Sequence, residues 1–460
     1  MVRTSLSQLS EFLHARRHGN DVEFTQISKD TRSMQKGHIY IALRGKNFDG
    51  HSFAADAVDK GAAGLIVDKF MNIEVPQLVV DDCFTALGQI AHYNRERLTA
   101  KLIAVTGSSG KTTVKEMIAT ILQLQGKTSA TKGNLNNEIG APLTLLEMDE
   151  SYQYGVIELG ASRLGDIAYT SAIVEPDVAL VNNVAGAHLE GFGSLENIAK
   201  AKGEIYESLN NDGVAVINND DVFATIWKQD IHQSILTYGI DEQSDVMATK
   251  IVIDDNQIAE FDLTYKDDSV KVKLPLIGAH QVKNALAAAA CCLAIGLSLE
   301  QIADGLQQVK VVAGRTNMIK LNSGCRVIDD TYNANLASMK AAISLLSGYK
   351  GKKILVIGDM AELGRFSRQH HTELGSFAAE NGIDQLMSCG EESKYAFEAF
   401  GGEGCHFENQ QDLIEALNNE TKLDTTILVK GSRSARMENI VASLLEQEQQ
   451  EMKASQLRGN

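Results

Sequence analysis

From Leu102 onwards, the sequence repeats a single pattern, in which a short apolar run is followed by a segment with helical spacing. The apolar runs are LIAVTG (102–107), YGVIELG (154–160), DVALVNNV (177–184) and GVAVINND (213–220). After the first run, apolar residues occupy positions 114, 117, 118, 121 and 122, which is the period of one helix face. This alternation predicts an α/β fold with a mostly parallel sheet that is covered by helices on both faces.

Shorter α/β patterns lie on both sides of this region. The runs that predict further strands are HIYIAL (38–43), AGLIV (63–67) and QLVV (77–80) before it, and RVIDD (326–330), KKILVIGDM (352–360), QLMSCG (385–390) and TTILVKGS (425–432) after it. A helix is expected from Cys83 to Leu98 and another over residues 281–296. Residues 246–276 alternate apolar and polar side chains instead, which predicts an antiparallel meander. In a chain of 460 residues we therefore expect three domains, over residues 1–82, 83–312 and 313–460.

The composition is that of an acidic globular protein, with 44% hydrophobic residues and a formal net charge of −17. This charge argues against a nucleic-acid or anionic-membrane partner, which would need clustered Lys and Arg. The stretch MVRTSLSQLSEFLHARR has no apolar core of a secretion signal, and the most apolar segment, residues 285–297, is too short to span a bilayer. The six cysteines contain no C-x-x-C motif. We therefore expect a cytoplasmic protein with reduced thiols and no membrane span.

The junction between the first apolar run and its helix, VTGSSGKTT (105–113), is similar to a phosphate-binding loop but lacks its first glycine. The usual pattern, G-x-x-x-x-G-K-[ST], places two glycines five positions apart, whereas Gly107 and Gly110 are three apart. A glycine-rich turn before a helix still points backbone N–H groups at one anion. The alternative, a simple strand-to-helix turn capped by Thr112, does not require a Gly-Lys-Thr triplet. We therefore predict nucleotide binding, with Lys111 on the β- and γ-phosphates and Thr112 on Mg²⁺.

Three later stretches add candidate ligands. Glu158 ends a buried strand, and His188 follows the next one, so both are expected near the γ-phosphate, where they would bind a metal. Lys202 lies on the helix that follows. The Gly/Asn-rich loop TKGNLNNEIGAPLTLL (131–146) is typical of loops that contact a polar ligand. Taken alone, His188 is equally well explained as a loop histidine with a local hydrogen bond, and Lys202 as a solvated helix residue.

Several stretches of the chain match one enzyme family. They are TGSSGKTT (106–113), ELG (158–160), NNVAGAHLEGFGS (182–194) and AKGEI (201–205), and they resemble the Mur ligases, the ATP-dependent amide-forming enzymes of peptidoglycan precursor synthesis. Further motifs narrow the resemblance to the member that adds a dipeptide: SKDTR (28–32), RGKNFDGHSF (44–53), GAHQVKNALAAA (278–289), DDTYNAN (329–335), GDMAELG (358–364) and KGSRSARME (430–438). The resemblance therefore covers nearly the whole chain.

The resemblance implies a reaction and a division of labour between the domains. The N-terminal α/β domain would bind a uridine diphosphate sugar, the central P-loop domain would bind ATP, and a Rossmann-like C-terminal domain would close over the nucleotide. The enzyme would be an ATP-dependent, ADP-forming ligase that joins D-alanyl-D-alanine to UDP-N-acetylmuramoyl-tripeptide through an acyl phosphate. Two Mg²⁺ ions are implied, and a monomer is expected.

The resemblance also implies which residues form the site. ATP would be held by Gly107, Ser108, Ser109, Gly110, Lys111, Thr112, Thr113, His280, Asn284, Arg315, Asp330 and Asn333. The catalytic residues would be Lys111, Glu158, His188 and Lys202, and the metal ligands Thr112, Glu158, His188 and a carbamylated Lys202. The UDP-linked substrate would contact Ser28, Arg44, Lys46, Asp49, Gly50, His51, Asn134, Asn136, Asn137 and Thr144, and the dipeptide would contact Asp359, Glu362 and Arg433. An unmodified Lys202 on a phosphate and an interdomain ion pair for Arg315 remain alternatives.

One departure from the family pattern and two rival functions remain. The family usually has NANP where this chain has Asn335 followed by Leu336, which questions the rigidity of that loop. A sister ligase that adds meso-diaminopimelate or lysine, or a folylpolyglutamate synthase, would share the chemistry, but the sister enzyme's DNPR stretch is absent. A P-loop kinase or regulatory nucleotide switch would need no acceptor amine. The sequence leaves the third residue of the substrate peptide, diaminopimelate or lysine, undetermined.

Overall fold

The structure is a computed structural model that describes residues 1–45, 47–186 and 189–458, the last eight of these as backbone only. Its first elements are β1 (Thr4–Ser5), α1 (Leu6–Phe12), β2 (Arg16–His18), β3 (Glu23–Phe24), β4 (Ile27–Ser28), β5 (Ile39–Ile41), α2 (Ala54–Asp59), β6 (Gly64–Val67), β7 (Gln77–Val79) and α3 (Cys83–Arg95). Strands β4 to β7 form a parallel sheet, which β2 extends antiparallel to β7, and β1 pairs with β3 separately. The strands of two or three residues before β5 have no periodic signal in the sequence, because they are shorter than one alternation.

The central part of the chain forms a nine-stranded sheet. Its elements are β8 (Lys101–Thr106), α4 (Lys111–Gln123), β9 (Thr128–Ala130), α5 (Gly140–Leu146), β10 (Tyr154–Glu158), α6 (Asp166–Val174), β11 (Val178–Val181), α7 (Leu189–Phe192), α8 (Leu195–Gly203), β12 (Val214–Asn218), α9 (Ala224–Asp230), β13 (Ser234–Gly239), β14 (Val246–Ile253), β15 (Ile258–Tyr265), β16 (Asp268–Ile277), α10 (His280–Ala294) and α11 (Leu299–Leu306). The strand order is β16-β15-β14-β13-β12-β11-β8-β10-β9. The predicted antiparallel meander is present as β14 to β16, and it continues the parallel sheet rather than standing apart from it.

The last part of the chain forms a six-stranded sheet in the order β17-β18-β22-β19-β20-β21, with only β17 antiparallel to its neighbour. Its elements are β17 (Asn317–Lys320), β18 (Arg326–Asp330), α12 (Leu336–Ser347), β19 (Lys352–Gly358), α13 (Ser367–Glu380), β20 (Gln385–Cys389), α14 (Ser393–Phe400), β21 (Glu403–Phe407), α15 (Gln410–Asn418), β22 (Thr425–Lys430) and α16 (Glu438–Arg458). Short 3₁₀ turns lie at Gly50–Phe53, Glu204–Tyr206, Gly364–Phe366 and Arg433–Ala435. The predicted class, α/β with a mostly parallel central sheet between two further sheets, is confirmed.

The burial pattern explains why the central sheet is parallel. Residues 102–105 of β8 are fully buried, as are the five apolar residues of α4 at positions 114, 117, 118, 121 and 122. A strand that is covered on both faces needs a continuous apolar run, and a helix that covers it needs one apolar stripe. The same arrangement brings the carboxyl ends of β11, β8 and β10 side by side within the parallel part of the sheet, where open α/β sheets bind their ligands.

The helix after the DDTYNAN motif begins without the family's proline. Asn335 is the N-cap of α12: its side-chain oxygen accepts from the Ser338 backbone N–H at 2.9 Å, and the Ser338 hydroxyl oxygen accepts from the Asn335 N–H at 3.0 Å. Leu336 is then simply the first helical residue. A reciprocal cap of this kind fixes the start of a helix, so the loss of proline leaves this entry well defined.

The central and C-terminal sheets meet through an apolar contact. One continuous core cluster contains Leu189 and Phe192 of α7 together with Met360 and Leu363, which follow β19. The backbone N–H of Glu190 also donates to the carbonyl of Glu362 at 3.2 Å. Because all four apolar side chains are at most 7% exposed, the contact holds the C-terminal sheet over the edge where β8, β10 and β11 end.

Candidate active site

A cavity of about 610 Å³ opens between the carboxyl edge of the central sheet and the C-terminal sheet. Of the residues predicted from the sequence, its lining includes Ser108, Ser109, Gly110, Lys111, Thr112, Thr113, Asn134, Asn136, Asn137, Glu158, Lys202, His280, Asn284, Arg315, Asp330 and Asn333. Residues that are more than 200 positions apart in the sequence, such as Thr112 and Arg315, therefore face one volume. A concave site lined by convergent polar groups is the usual form of a ligand-binding site.

The loop between β8 and α4 has the backbone that a phosphate-binding turn requires. Gly107 has φ 151° and Gly110 has φ 76°, and Gly110 forms the N-cap of α4. A Cβ atom on Gly110 would lie 2.6 Å from both Asn182 Nδ2 and Asn284 Oδ1, so only glycine fits there. The loop thus turns within two residues, Ser108 and Ser109, and delivers the positive end of α4 to the cavity.

Two asparagines after β11 hold this loop in place. The Asn182 side chain donates to the Ser109 carbonyl at 3.0 Å, and the Ser109 N–H donates to the Asn183 side-chain oxygen at 2.9 Å. The Ser108 N–H donates to the Asn183 carbonyl at 2.9 Å. These two positions belong to the NNVAGAH stretch, whose asparagines were not among the predicted site residues. Their signal was the strand that ends directly before them, since the ends of adjacent parallel strands meet.

Lys111 is folded over the loop that precedes it. Its Nζ donates to the Gly107 carbonyl at 2.7 Å. Burial lowers the pKa of Lys111, the Glu158 carboxylate opposes that shift, and the Arg315 guanidinium adds to it. A cation held at this position is next to the space in front of the α4 N-terminus, where a phosphate group would sit.

Glu158 and Thr112 form a buried oxygen cluster beside the loop. The Thr112 hydroxyl donates to one Glu158 oxygen at 2.8 Å, and Asn136 Nδ2 donates to the other at 2.8 Å. The Glu158 N–H donates to the Thr131 hydroxyl at 2.9 Å, which fixes the strand end against the 131–146 loop. Hydroxyl and carboxylate oxygens in this arrangement are the donors that Mg²⁺ prefers.

Lys202 is a buried amine on α8. Its side chain lines the cavity although the residue is only 3% exposed. Burial holds the pKa of Lys202 well below its ordinary value, and the nearby Lys111 lowers it further. Over the part of the chain that the structure describes, no hydrogen-bond or ion-pair partner holds this amine. A buried lysine without a counter-ion is costly, so the position favours a neutral or modified amine.

Two predicted residues lie outside the described residues: His188, proposed as a metal ligand, and Lys46, proposed for the UDP-linked substrate. The segments next to them are in place. Gly186 and Leu189 flank the first position at the entrance to α7, and Gly45 and Asn47 flank the second. Both assignments therefore stay predictions from the sequence.

Arg315 crosses from the C-terminal part of the chain into the phosphate-binding loop. Its Nη2 donates to the Thr112 hydroxyl at 2.8 Å, and its guanidinium lies 4.0 Å above the Tyr332 ring. Its Nε is buried and, among the described residues, has no acceptor. A buried N–H without an acceptor costs free energy. A ligand oxygen in the cavity would remove that cost.

Asp330 and Asn333 both contact Lys430, which was not among the site residues predicted from the sequence. Lys430 Nζ lies 2.7 Å from Asp330 Oδ2 and donates to the Asn333 carbonyl at 2.8 Å. Lys430 ends β22 directly opposite Asp330 on β18, and it is 3% exposed. Its signal in the sequence was a lysine at the end of the apolar run TTILVK, because the end of a buried strand is a ligand-facing position.

His280 and Asn284 lie on the first turn and a half of α10, facing the phosphate-binding loop. Asn284 Oδ1 accepts from Asn182 Nδ2 at 3.2 Å, and Asn284 Nδ2 donates to Gln281 Oε1 at 2.9 Å. Burial lowers the pKa of His280, with Asp330 opposing that shift and Lys430 adding to it. The structure therefore brings this pair to the cavity, with His280 favoured as a neutral imidazole.

The predicted residues of the Gly/Asn-rich loop do not all line the cavity. Asn134, Asn136 and Asn137 line the cavity, and Asn137 also accepts from the Gly140 N–H at 3.0 Å, which caps α5. Thr144 does not reach the cavity. It is 3% exposed, and its hydroxyl donates to the Gly140 carbonyl one helical turn back, at 2.9 Å. The predicted contact of Thr144 with the sugar or peptide therefore stays a prediction, which its position outside the cavity lining does not support.

The described N-terminal residues predicted for the UDP-linked substrate lie with the first sheet and are not among the cavity-lining residues, unlike Asn134, Asn136 and Asn137. Arg44 Nη2 lies 2.9 Å from Asp68 Oδ1 and its Nε 3.7 Å from Asp49 Oδ2. His51 is buried: its Nδ1 donates to Asp49 at 2.6 Å and its Nε2 accepts from the Asp68 N–H at 3.2 Å. Ser28 donates to the Asp30 carbonyl at 3.1 Å. Arg44 and His51 are therefore ordered by Asp49 and Asp68, whereas Ser28 bonds to a separate residue, Asp30.

The three residues suggested for the dipeptide occupy different environments. Asp359 caps α14: one of its oxygens accepts from the N–H groups of Glu392 at 3.1 Å and Ser393 at 2.7 Å. Arg433 is exposed and pairs with Glu438 at 3.1 Å. Glu362 has φ 61° in the loop that contacts α7. The structure does not gather these three side chains into one pocket.

Family profiles match three consecutive parts of the chain. A profile described as Mur ligase family, catalytic domain, matches residues 23–109, the Mur ligase middle domain matches residues 105–292, and the Mur ligase, glutamate ligase domain, matches residues 314–433. Together the matches include the phosphate-binding loop, Glu158, Arg315 and Lys430. The three matched parts coincide with the three parts of the chain that build the cavity and the first sheet.

Known proteins are similar to the chain over nearly its whole length. It is 44% identical over 451 residues to the UDP-N-acetylmuramoyl-tripeptide–D-alanyl-D-alanine ligase of Escherichia coli strain K12, covering 97% of this chain and 99% of that protein. A crystal structure of MurF from Acinetobacter baumannii superposes with a TM-score of 0.91 at 39% identity and covers 96% of this chain and 99% of that one. MurF ligase from Thermotoga maritima in complex with ADP superposes at 0.83 with 28% identity, covering 93% and 98%. No helix within the described residues is long and apolar enough to cross a membrane.

Proposed function

The chain belongs to the Mur ligase family, and we propose that it joins D-alanyl-D-alanine to UDP-N-acetylmuramoyl-tripeptide in peptidoglycan precursor synthesis, with conversion of ATP to ADP and phosphate. The observation that carries this proposal is the match to a relative named for that reaction, which covers 97% of this chain. The cavity supports it, because a phosphate-binding loop faces polar groups from a second sheet across a volume large enough for a nucleotide and a reacting carboxylate.

The nucleotide is bound across the two walls of the cavity. The triphosphate lies on the N-terminus of α4, where Lys111 and the loop N–H groups of residues 107–113 meet it. Arg315 contacts the phosphates from the opposite wall. The buried Nε of Arg315 supports this assignment, because a phosphate oxygen would supply the acceptor that it lacks among the described residues. His280, Asn284, Asp330 and Asn333 hold the nucleoside.

Mg²⁺ fits the oxygen cluster beside the loop. Thr112 and Glu158 supply a hydroxyl and a carboxylate that already touch each other, at 2.8 Å. Within the described residues, no group of three His, Cys, Asp or Glu side chains forms a metal cluster, so phosphate oxygens, water and the predicted ligands His188 and Lys202 would complete the coordination. When bound, Mg²⁺ neutralises charge on the γ-phosphate and on the attacking carboxylate.

Lys202 becomes a metal ligand by reacting with CO₂. Carbamate formation needs a neutral amine, which burial favours: the amine nitrogen bonds to the carbon of CO₂ and releases a proton to solvent, so a buried neutral amine becomes an anion that the nearby Lys111 cation attracts. Lys202→Ala is expected to abolish activity, and a small carboxylate such as acetate or formate is expected to restore part of it. An active wild-type protein without carbamate carbon in a ¹³C-bicarbonate NMR experiment, together with no rescue, would contradict the modification.

The residues of the chain act mainly by positioning and by stabilising charge. The terminal carboxylate of the tripeptide attacks the γ-phosphorus of ATP, ADP leaves, and an acyl phosphate forms. The amine of D-alanyl-D-alanine then attacks the acyl carbon, and phosphate leaves. Lys111 and Arg315 face the oxygens on which negative charge grows in both steps, in a site that the apolar contact between α7 and Leu363 shields from water.

The two substrates approach from different sheets. Residues 1–82 form the domain that binds the uridine diphosphate, with Ser28, Arg44 and the predicted Lys46 near the diphosphate. Residues 83–312 bind ATP and, through Asn134, Asn136 and Asn137, the sugar and peptide. Residues 313–460 bring the dipeptide. The protein acts as a cytoplasmic monomer in this proposal.

The ligase proposal is tested by phosphate release. Purified protein is incubated with ATP, Mg²⁺ and UDP-N-acetylmuramoyl-tripeptide, with and without D-alanyl-D-alanine. A ligase gives rapid release only when the dipeptide is present, whereas a nucleotide switch gives the same slow release in both reactions. Release that ignores the dipeptide but responds to diaminopimelate or lysine with the UDP-dipeptide would identify the sister activity instead.

A further inference from the structure

The short segment that joins α11 to β17 has an unusual backbone. Gly314 has φ 70° and Thr316 has φ 54°, with Arg315 between them. Glycine adopts positive φ without cost, but a β-branched residue in that region is a strained exception. Of the described non-glycine residues with positive φ, only Thr316 is β-branched. Something in the surrounding structure must therefore hold it there.

Asp330 holds Thr316 in this conformation. The Thr316 backbone N–H donates to Asp330 Oδ1 at 3.1 Å, and its hydroxyl lies 3.4 Å from the same oxygen. The other Asp330 oxygen pairs with Lys430 Nζ at 2.7 Å. Because the Lys430 side chain is only 4% exposed, this ion pair is shielded from solvent and restricts the rotation of the Asp330 carboxylate.

The strained turn has a direct consequence for Arg315. Its backbone N–H donates to the Val312 carbonyl at 3.0 Å, and the Gly314 carbonyl accepts from the Tyr332 N–H at 3.0 Å, so the residue is fixed from both sides. From this anchor, the guanidinium stacks at 4.0 Å on the Tyr332 ring and reaches Thr112 at 2.8 Å. An extended backbone at Thr316 would change the path of the chain at Arg315 and turn the side chain away from the loop.

We propose that Lys430 and Thr316 are positioning residues for phosphoryl transfer: the Lys430–Asp330 ion pair locks Thr316 in its left-handed conformation, and that conformation aims Arg315 at the phosphates. This inference rests on the proposed function, because it assigns Arg315 to the reacting phosphates of ATP. It assigns a role to two residues that need not touch the substrate, because they act through Asp330 on the position of Arg315.

A double-mutant cycle tests the route. Arg315→Ala, Lys430→Met and the double variant are compared for kcat and for the KM of ATP. Because Lys430 acts through Arg315, each single variant is expected to lower kcat by about a hundredfold, and the double variant to be no worse than Arg315→Ala within about threefold. Lys352→Met is the matched control: it removes a lysine that pairs with Glu420 at 2.8 Å on the same sheet, away from the cavity. Its kcat is expected to equal that of wild type.

Rescue separates this role from a merely structural one. Glycine tolerates positive φ, so Thr316→Gly in the Lys430→Met background is expected to recover about fivefold of the lost kcat. A loss caused by destabilisation elsewhere in the fold would not be repaired by a glycine at this one position. The same pair of variants thus distinguishes aiming of Arg315 from loss of fold.

Hydrogen exchange gives a readout that is independent of activity. In wild-type protein without nucleotide, the Thr316 amide is expected to be protected at least tenfold relative to an unstructured peptide, and Lys430→Met is expected to remove that protection. An unprotected Thr316 amide in wild type would overturn the proposal even if Lys430→Met does not fold. Multiplicative losses in the double variant, or the absence of rescue by glycine, would also overturn it. A wild-type protein that lacks dipeptide-dependent activity but shows this protection would contradict the ligase function instead.

Discussion

The two walls of the cavity are built in opposite ways. The wall on the central sheet is internally bonded: Asn182 and Asn183 hold the phosphate-binding loop, and Asn136 and Thr112 hold Glu158. The C-terminal wall touches it through few contacts. Among the described residues these include the Arg315–Thr112 bond at 2.8 Å, a long Asn335–Ser108 bond at 3.4 Å and the apolar contact of α7 with Leu363.

The two kinds of wall are suited to different tasks in binding and catalysis. The wall on the central sheet, called the preformed wall below, is made from adjacent strand ends. It is preorganised, so it can hold phosphates without rearrangement when the ligand arrives. The C-terminal wall, called the movable wall below, meets the other wall at separate points, which include Arg315–Thr112, Asn335–Ser108 and the α7 contact, so we expect it to open for substrate entry and close for chemistry. We therefore expect the phosphate-binding loop to hold the phosphates in a fixed site, and Arg315 to reach them when the movable wall closes.

Removing the cation of the preformed wall should have the largest effect. Lys111→Met keeps the length of the side chain but deletes the charge beside the α4 N-terminus, and we expect kcat/KM for ATP to fall about a thousandfold. Dipeptide-dependent ADP formation measures it. Lys250→Met, which removes an exposed lysine paired with Asp262 at 2.8 Å, is the control. A loss of less than tenfold at Lys111 would mean that the loop does not hold the reacting phosphates.

Removing Arg315, the cation of the movable wall, should reduce activity less than removing Lys111. Arg315→Ala is expected to lower kcat about a hundredfold, because one charge-stabilising donor is lost while the preformed wall still binds ATP. Arg315→Lys keeps the charge but loses the planar fork and the stack on Tyr332, so it should recover only part of the rate. Steady-state kinetics with saturating dipeptide measures both variants. Equal rates for wild type and Arg315→Ala would place the arginine outside the reaction.

Weakening the apolar contact tests whether the second wall closes. Leu363→Ala removes a side chain that is 2% exposed against α7 and leaves the cavity lining intact. We expect the KM values of ATP and dipeptide to rise about tenfold. Truncating a buried leucine costs about 2–5 kcal/mol, and part of this cost would fall on the closed arrangement of the two walls that binds both substrates. Leu423→Ala, at a leucine that is 70% exposed and precedes β22 at the opposite edge of the C-terminal sheet, is the control. Unchanged KM values for Leu363→Ala would show that closure does not depend on this contact.

The smallest expected effect is on the free energy of unfolding at low pH, through a histidine in the movable wall. His371 is fully buried, its Nε2 accepts from the Met360 N–H at 3.0 Å, and its Nδ1 donates to the Ser367 carbonyl at 2.8 Å. Burial lowers the pKa of His371, while the Ser367 bond and Asp359 oppose that shift. The folded protein thus keeps the ring neutral, whereas the unfolded chain binds a proton below about pH 6.5.

The sign of this pH dependence follows from the bound protons. Below about pH 6.5 the unfolded state holds the extra proton, so the free energy of unfolding falls as the pH drops, by at most about 1.4 kcal/mol per pH unit. Urea unfolding at pH 7.5 and 5.5 measures it, and His371→Gln should show a smaller loss than wild type. An equal loss in both proteins would assign the acid sensitivity to other histidines.

The sequence predicted the preformed wall better than the movable one. Lys111, Glu158 and Asn136 follow from strand ends and a glycine turn, because adjacent parallel strands finish at one edge. Lys430 was visible in the same way, at the end of β22, but its partner Asp330 is 100 positions away and only the sheet order brings them together. The strain at Thr316 and the stack of Arg315 on Tyr332 have no local sequence signal, since they depend on how the segment before β17 packs against the end of β18 in the C-terminal sheet. Thr144 has the composition of a substrate contact, but its hydroxyl is used within its own helix.

The most direct test of the ligase reaction is the ratio of ADP to amide product. ATP, Mg²⁺, UDP-N-acetylmuramoyl-tripeptide and D-alanyl-D-alanine are incubated with the protein, ADP is quantified, and the UDP-linked peptides are resolved by mass spectrometry. We expect one molecule of UDP-N-acetylmuramoyl-pentapeptide for each ADP, and neither product at a comparable rate when the dipeptide is omitted. ADP formation without any extended UDP-linked peptide would contradict this expectation.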